Sequence, residues 1–205
     1  MLIRKYQVFI SSTFTDLEEE RKAVIETIMA MGCIPAGMEL FPPGPEQMEH
    51  IRSEIQQSDY YVLIVGGRYG SIDDTSGKSY TEQEFDYAVS IGIPIVPCVH
   101  KNPLAIPVGK SESDPKLKDQ LDAFRAKAMH RRLAGQWTSK DDLAAKVIHG
   151  LNKAFETNPR PGYVRGSSTS TDDSTLQKEN LRLNNEVAHL NASLQLAMKS
   201  SAANR

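Results

Sequence analysis

Runs of apolar residues recur along the first half of this chain, and amphipathic segments separate them. Four runs stand out, at residues 6–10, 34–40, 60–65 and 93–99. The third run reads Tyr-Tyr-Val-Leu-Ile-Val without a polar interruption, which is typical of a strand buried on both faces of a sheet. The second contains a proline and a glycine, which indicate an edge position or an irregular strand. We therefore place 60–65 at the centre of a sheet.

Between and after these strands, apolar residues repeat at three- and four-residue steps, as they do on one face of a helix. The predicted helices are 15–31, 46–57, 81–91, 115–133 and 139–155, and a short strand at 134–137 precedes the last of them. This alternation predicts an α/β fold: a doubly wound parallel sheet of about five strands with right-handed crossovers. The flavodoxin-like strand order 2-1-3-4-5 is expected, with its switch point between the first and third strands.

That strand order brings two chain segments to one crevice. Ser11–Thr13 ends the first strand, and Gly66–Tyr69 follows the third, where glycines allow a sharp turn. Ligands of open parallel sheets bind at this point. The helix that begins near Thr81 carries Glu82 and Glu84 toward the same rim. The sequence therefore predicts a binding crevice with carboxylates at its edge.

The composition changes after residue 157. Residues 158–174 are rich in Pro, Gly, Ser, Thr and Asp, which predicts a flexible linker. Residues 175–199 repeat in steps of four and three, a heptad pattern that favours a parallel coiled coil over a lone amphipathic tail. We therefore expect an α/β domain at 1–157, a linker at 158–174 and a coiled-coil helix at 175–199. Self-association to a dimer or higher is expected through the seam residues Leu176, Leu183, Val187, Leu190 and Leu194.

Composition narrows the class of protein. The 205 residues are 40% hydrophobic and 24% charged with a formal net charge of -2, values of a globular protein without a general affinity for nucleic acid or anionic membranes. Cys33 and Cys98 lack CxxC spacing, and the five histidines lack metal-site spacing, so we expect no metal. No apolar run has the length of a signal peptide or membrane helix, and a reducing cytoplasm is the expected location. The basic residues of 125–132 are interpreted as the solvated end of a helix rather than a phosphate contact.

Several motifs resemble Toll/interleukin-1 receptor (TIR) domains. Residues 6–11 (Tyr-x-Val-Phe-Ile-Ser), 58–65 (Ser-Asp-Tyr-x-Val-Leu-Ile-Val) and 80–84 (Tyr-Thr-Glu-Gln-Glu) resemble the first strand, third strand and catalytic helix of that family. Ile-Ser-Ser-Thr-Phe at 10–14 and Val-Gly-Gly-Arg-Tyr-Gly at 65–70 more closely resemble a TIR-like family known only as domain of unknown function 4062. Members of that family stand at the front of STAND-type signalling proteins. More distantly, the chain is similar to nucleoside deoxyribosyltransferases.

The resemblance implies a chemistry. Catalytic TIR domains cleave the bond between nicotinamide and ribose in NAD, with a glutamate early in the helix after the third strand. The match implies Glu84 as that glutamate, with Glu82 second; NAD would be a substrate and not a cofactor. A positioned carboxylate can stabilise the positive charge that forms on the sugar. The substrate-binding residues implied are Ser11, Ser12, Thr13, Gly66, Gly67, Arg68, Tyr69 and Tyr80.

Other interpretations of the same residues stay open. Thr81 and Glu84 have capping-box spacing, Ser11–Thr13 can cap the first helix, and Tyr69 and Tyr80 can simply pack. Tyr80 and Thr81 also stand where catalytic TIR domains have a tryptophan-cysteine pair.

Three functions follow as hypotheses, and the residues do not decide whether the chain is an enzyme. The first is cleavage of the N-glycosidic bond of NAD or a related nucleotide upon self-association, in bacterial antiviral defence or signalling. The second is a non-catalytic TIR-like signalling and oligomerisation module. The third is transfer of bases between nucleosides.

Overall fold

The computed structural model describes residues 4–37, 47–130, 135–164 and 178–187. The strands are β1 Arg4–Lys5, β2 Gln7–Ser12, β3 Ile34–Gly37, β4 Tyr60–Val65, β5 Ile95–His100, β6 Gly135–Trp137 and β7 Tyr163–Val164. The helices are α1 Glu18–Ala30, α2 Gln47–Gln57, α3 Tyr80–Ser90, α4 Pro115–Met129 and α5 Lys140–Thr157. None of the helices in these described ranges is long and apolar enough to cross a membrane.

Five of the strands form one parallel sheet in the order β3-β2-β4-β5-β6. Numbered by appearance within that sheet, this is the order 2-1-3-4-5, which confirms the predicted flavodoxin-like α/β fold. All six residues of β4 are buried, as the uninterrupted apolar run predicts. β3 forms one edge of the sheet, in line with its proline and glycine.

Helices cover both faces of the sheet. Alternate residues of a strand point to opposite faces, and β4 follows this rule. Val62 and Ile64 pack with α1 and α5, whereas Tyr61 and Leu63 pack with α2, α3 and α4. The two apolar layers therefore hold β4 between them and fix the position of its carboxyl end.

A second, two-stranded sheet was not expected from the sequence. β1 pairs antiparallel with β7, so that Arg4 lies opposite Val164. The tail that leads to β7 is held by Asp59, whose Oδ1 accepts the Gly162 N–H at 3.1 Å, and by the Tyr60 hydroxyl, which donates to the Asn158 carbonyl at 3.0 Å. Part of the predicted linker, 158–174, is thus ordered through Val164, because backbone hydrogen bonds replace the apolar contacts its composition lacks.

The chain divides into two units, Met1–Val164 and Arg165–Arg205. The described part of the second unit is a helix over residues 178–187, on which Leu183 and Val187 are about half exposed. The predicted seam residues Leu176, Leu190 and Leu194 lie outside the described residues. The coiled coil therefore stays a prediction.

The loop at residues 101–114, which we call the lid loop, contacts the glycine turn (Gly66–Tyr69) that follows β4. It contains two short 3-10 helices, Pro103–Ala105 and Val108–Lys110. The Glu112 N–H donates to the Gly67 carbonyl at 2.7 Å. A Cβ atom on Gly67 would come within 2.4 Å of the Lys110 carbonyl oxygen. Gly67 is thus required by the close approach of this loop, and not by a positive φ.

Replacement of Gly67 by alanine is expected to push the loop off the turn. Overpacking of this kind costs about 1–3 kcal/mol, measurable as a lowered denaturant midpoint, and amide hydrogen exchange within 101–114 should accelerate. Gly109→Ala is the matched control in the same loop, because a Cβ at Gly109 meets nothing within 4 Å. Equal stability and equal exchange in the two variants would contradict the close contact.

Candidate functional site

A cleft of about 420 Å³ opens at the carboxyl edge of the sheet, where β2 and β4 separate. We call it the switch-point cleft. Side chains from the end of β2, the glycine turn, the start of α3 and the lid loop line it: Ser12, Thr13, Phe14, Thr15, Arg68, Gly70, Ser71, Tyr80, Thr81, Glu112 and Leu117. Four of the predicted site residues, Ser12, Thr13, Arg68 and Tyr80, thus come together here.

Two polar groups in the wall of this cleft are buried without a hydrogen bond with any residue that the structure describes. They are Oγ1 of Thr13 and Nε of Arg68. The Arg68 guanidinium uses another nitrogen, Nη2, to donate to the Gly109 carbonyl at 2.7 Å. Buried polar groups are nearly always paired in folded proteins, so these two atoms are unusual features of the cleft wall.

Glu84 lies one helical turn beneath the switch-point cleft, below Thr81. Its side chain has no exposed surface, and it does not line the cleft. The Ser11 hydroxyl donates to Glu84 Oε2 at 2.5 Å, while Oε1 is buried and has no hydrogen-bond partner in the described part of the chain. Burial raises the pKa of Glu84 from 4.5 to about 7, against the opposing effects of Ser11 and the Arg21 charge. The predicted carboxylate therefore points to the end of β2 but is sealed from the cleft.

A buried polar network surrounds Glu84. Arg21 of α1 is 3% exposed and donates to the Ser12 hydroxyl at 3.0 Å. The Tyr61 hydroxyl is buried without a hydrogen-bond partner, and burial and Glu84 hold its pKa well above 10. Ser12 belongs both to this network and to the cleft wall. The network thus connects the cleft to the core beneath it.

Helix capping in the structure differs from the sequence interpretation at both candidate positions. Ser79, and not Thr81, caps α3, because its hydroxyl accepts the Glu82 N–H at 3.2 Å. The prediction that Thr81 and Glu84 form a capping box is therefore wrong. Leu17 occupies the cap position of α1 and makes no side-chain capping bond, so the capping role considered for Ser11–Thr13 is wrong as well.

Glu82, the second predicted carboxylate, is bound to its neighbours. Its Oε2 accepts a hydrogen bond from the Tyr69 hydroxyl at 2.5 Å, and its Oε1 pairs with Lys127 Nζ at 2.7 Å. Tyr69 is 2% exposed and packs edge-on against Phe124. Neither Glu82 nor Tyr69 lines the switch-point cleft. The pair links the glycine turn to α3 and α4.

The remaining predicted residues, Gly66 and Gly67, lie on the other side of the turn. A Cβ at Gly66 would come within 2.8 Å of Leu17 Cδ2, so this glycine permits the close approach of α1 to the sheet. Gly67 contacts the lid loop as described above. Neither glycine lines the switch-point cleft.

A comparison with protein-family profiles identifies the family of this chain. The profile of the family described as Domain of unknown function (DUF4062) matches residues 7–152, more than half of the chain. The chain belongs to the DUF4062 family. The match runs from β2 into α5 and includes the residues of the switch-point cleft. A search of curated proteins found no match.

Arg125 is a residue of the DUF4062 domain whose role sequence reasoning missed. It was assigned to a solvated basic cluster, yet it is 8% exposed, with Nη1 donating to the Gly66 carbonyl at 3.3 Å and Nη2 to the His100 carbonyl at 2.5 Å. It thereby joins the ends of β4 and β5. The helical spacing of Arg125 with Leu121 and Ala128 could have predicted its burial, because the three residues share the buried face of α4.

The DUF4062 domain offers no evident metal centre in the ranges that the structure describes. Within them, no group of three or more His, Cys, Asp or Glu side chains is positioned to hold an ion. Cys33 and Cys98 are buried thiols, and burial raises the pKa of Cys98 to about 12. A thiol of that pKa is a poor nucleophile at neutral pH.

The buried Glu84 predicts a pH dependence of stability. Its pKa is higher in the folded state, about 7, than its ordinary value of 4.5. The folded state therefore binds more protons between these values, and Glu84 makes stability fall as pH rises from 4.5 to about 7. The fall is of order 3 kcal/mol, since each pKa unit is worth about 1.4 kcal/mol.

Urea unfolding of wild type and Glu84→Gln across this pH range measures the effect. The difference in unfolding free energy between the two proteins isolates Glu84 from other titrating groups. It should shift in favour of the glutamine variant as pH rises, then level off. A difference that is constant with pH would contradict a buried, shifted Glu84.

Proposed function

We propose that this DUF4062 domain is a TIR-like signalling module that binds a nucleotide-class ligand in the switch-point cleft and acts by self-association. The observation that carries the proposal is the separation of cleft and acid: polar groups line the cleft, whereas the Glu84 side chain below it has no exposed surface. Such a site can recognise a ligand without contact to Glu84. Glu112, the acid in the cleft wall, has its two carboxylate oxygens bonded to the N–H groups of Tyr69 and Ser113.

The chemistry of the cleft favours an anionic, hydroxyl-rich ligand. Ser12, Thr13 and Ser71 supply hydroxyls, and Arg68 supplies a cation whose Nε has no hydrogen-bond partner. Guanidinium groups pair well with phosphate. Tyr80 adds a half-buried aromatic ring to the wall. The cavity, about 420 Å³, falls within the range of small-molecule sites, roughly 300–1,000 Å³.

The state of Glu84 argues against catalysis in this conformation. A carboxylate that stabilises a sugar cation must touch the sugar and carry a charge. Glu84 is covered, with Ser11 on Oε2, and its pKa of about 7 leaves much of it uncharged at neutral pH. Ligand binding alone does not require either condition.

A second candidate function, cleavage of the N-glycosidic bond of NAD or a related nucleotide, is favoured by the same carboxyl group. A glutamate with a raised pKa beneath a cleft is an arrangement that enzymes acting on glycosidic bonds use. Glu84 Oε1 has no hydrogen-bond partner, and only one helical turn separates it from Thr81 in the cleft wall. Hydrolysis would require a rearrangement of α3 or Ser11 that exposes this oxygen.

Self-association is proposed to proceed through the C-terminal helix. Leu183 and Val187 lie four residues apart on the helix over 178–187, at 48% and 56% exposure. Residues at that spacing share one helix face, which supports an apolar seam between copies. Association would raise the local concentration of the α/β domains.

Incubation of concentrated protein with NAD separates the two functions. We expect calorimetric binding of NAD to wild type and to Glu84→Gln, with no release of nicotinamide from either. Arg68→Ala should weaken NAD binding by about tenfold or more, because a hydrogen bond to a charged group is lost. Arg52→Ala is the matched control, because the Arg52 side chain stacks on Tyr87 of α3 and does not line the cleft.

Two other outcomes of this experiment would contradict the proposal. Nicotinamide release by wild type that is lost in Glu84→Gln would establish the hydrolase. Absence of both binding and release would contradict a nucleotide function and leave an assembly module alone.

The proposed seam makes a separate prediction. Leu183→Glu combined with Val187→Glu should place charge in the seam and convert the protein to monomer, as measured by sedimentation equilibrium. Leu181→Glu is the control, because Leu181 is also exposed, at 64%, but lies off the heptad positions. An oligomer that survives the double substitution, or that Leu181→Glu disrupts equally, would contradict the seam.

A further inference from the structure

A second cavity lies beside the glycine turn and shares no lining residue with the switch-point cleft. It has a volume of about 200 Å³ and is lined by the start of α1, the turn, the ends of β5 and β6, and the lid loop. We call it the Asp16 pocket. The resemblance to TIR domains implies substrate binding for two of its lining residues, Gly66 and Gly67. The function proposed for the switch-point cleft does not use this pocket.

Three buried polar side chains meet in the wall of the Asp16 pocket without hydrogen bonds. Asp16, His100 and Trp137 are 1%, 6% and 4% exposed. Both carboxylate oxygens of Asp16, Nδ1 of His100 and Nε1 of Trp137 have no partner among the described residues. A single such group is uncommon in a folded protein, and three in one cavity indicate that the pocket receives a polar occupant.

The environment of Asp16 leaves its oxygens available to that occupant. Burial raises the pKa of Asp16, against the opposing effects of the Thr13 side chain, the Gly67 amide and the Arg68 charge. Neither oxygen of Asp16 has a hydrogen bond of normal geometry among the described residues. Lys110, the lysine that lines the pocket, pairs with Glu20 at 3.3 Å and not with Asp16. Asp16 therefore acts as an acceptor that lacks a donor.

Trp137 and His100 determine which groups the ligand needs in addition to an N–H donor. The indole N–H of Trp137 can only donate, and the neutral imidazole of His100 can donate or accept. The two rings meet edge to face with centroids 4.6 Å apart and form an aromatic wall. A ligand that satisfies Asp16 and Trp137 together needs an N–H donor next to a carbonyl acceptor.

We propose that the Asp16 pocket binds one flat, uncharged ring with an amide-type edge, as on a nucleobase. The Asp16 carboxylate accepts its N–H, Trp137 donates to its carbonyl, and His100 bonds the flanking polar atom. The volume, about 200 Å³, is below the roughly 300–1,000 Å³ of drug-sized sites, so one ring fits and a whole nucleotide does not. This assignment does not depend on the function proposed for the switch-point cleft.

The chain provides its own reporter for the test. Trp137 is the one tryptophan of the sequence, so its fluorescence responds to an occupant of the Asp16 pocket. The probes are three compounds of equal shape: benzamide carries donor and acceptor, benzoate only acceptors and a negative charge, and benzamidine only donors and a positive charge. We expect saturable quenching by benzamide at millimolar concentrations, and binding of benzoate and benzamidine weaker by about tenfold or more.

The variant Asp16→Asn tests the role of the carboxylate. It preserves the shape of the side chain and removes its charge, so benzamide should bind more weakly and benzoate more tightly than to wild type. Asp141→Asn, at an exposed acid of α5, should leave both unchanged. Circular dichroism of each variant reports on the fold.

Two outcomes overturn the proposal even if the variant fails to fold, because they are read from wild-type protein. Absence of a response to benzamide means that the pocket holds only water. A response to benzoate or benzamidine as strong as to benzamide means that the pocket does not select an amide edge.

Discussion

The structure of this DUF4062 domain depends on the burial of β4 on both faces and along both edges. β4 pairs with β2 and β5, and its alternate side chains fill two separate apolar layers. A strand held in this way cannot shift, so its carboxyl end is a fixed point. The glycine turn, the start of α3 and the lid loop are all positioned from that point, and both cavities at this edge of the sheet lie beside it.

Glu84 shows how burial decides the chemistry of a candidate site. If Glu84 lined the cleft, it could act as a nucleophile or stabilise a positive charge. Because it is buried below the cleft, its pKa is raised to about 7 and it is partly uncharged at neutral pH. Its hydrogen bond to Ser11 ties α3 to the end of β2. The domain thus retains a titratable group directly below the switch-point cleft.

The sequence predicted the sheet well because strand order follows from patterns that the chain displays locally. The apolar run of β4 and the proline in β3 are enough to place a centre and an edge. The candidate site was predicted less well, because its contacts join residues far apart in sequence: Ser11 reaches Glu84 across 73 positions. Spacing suggested caps at Ser11–Thr13 and Thr81, whereas Leu17 and Ser79 occupy the cap positions of α1 and α3. Arg125 was predicted to be solvated because it is charged, although its position places it on the buried face of α4. The pairing of β1 with β7 was not predicted, because segments of two residues are too short to show a periodic pattern.

The pairing of β1 with β7 has a mechanical consequence. Arg4 lies opposite Val164, so the points where the polypeptide enters and leaves the α/β unit are adjacent. Tension applied across these two residues would load the short ribbon as a zipper, one pair of hydrogen bonds at a time, and would release it before any force reached the parallel sheet. Separation of the two ends of the α/β unit would therefore begin with the residue pairs Arg4–Val164 and Lys5–Tyr163.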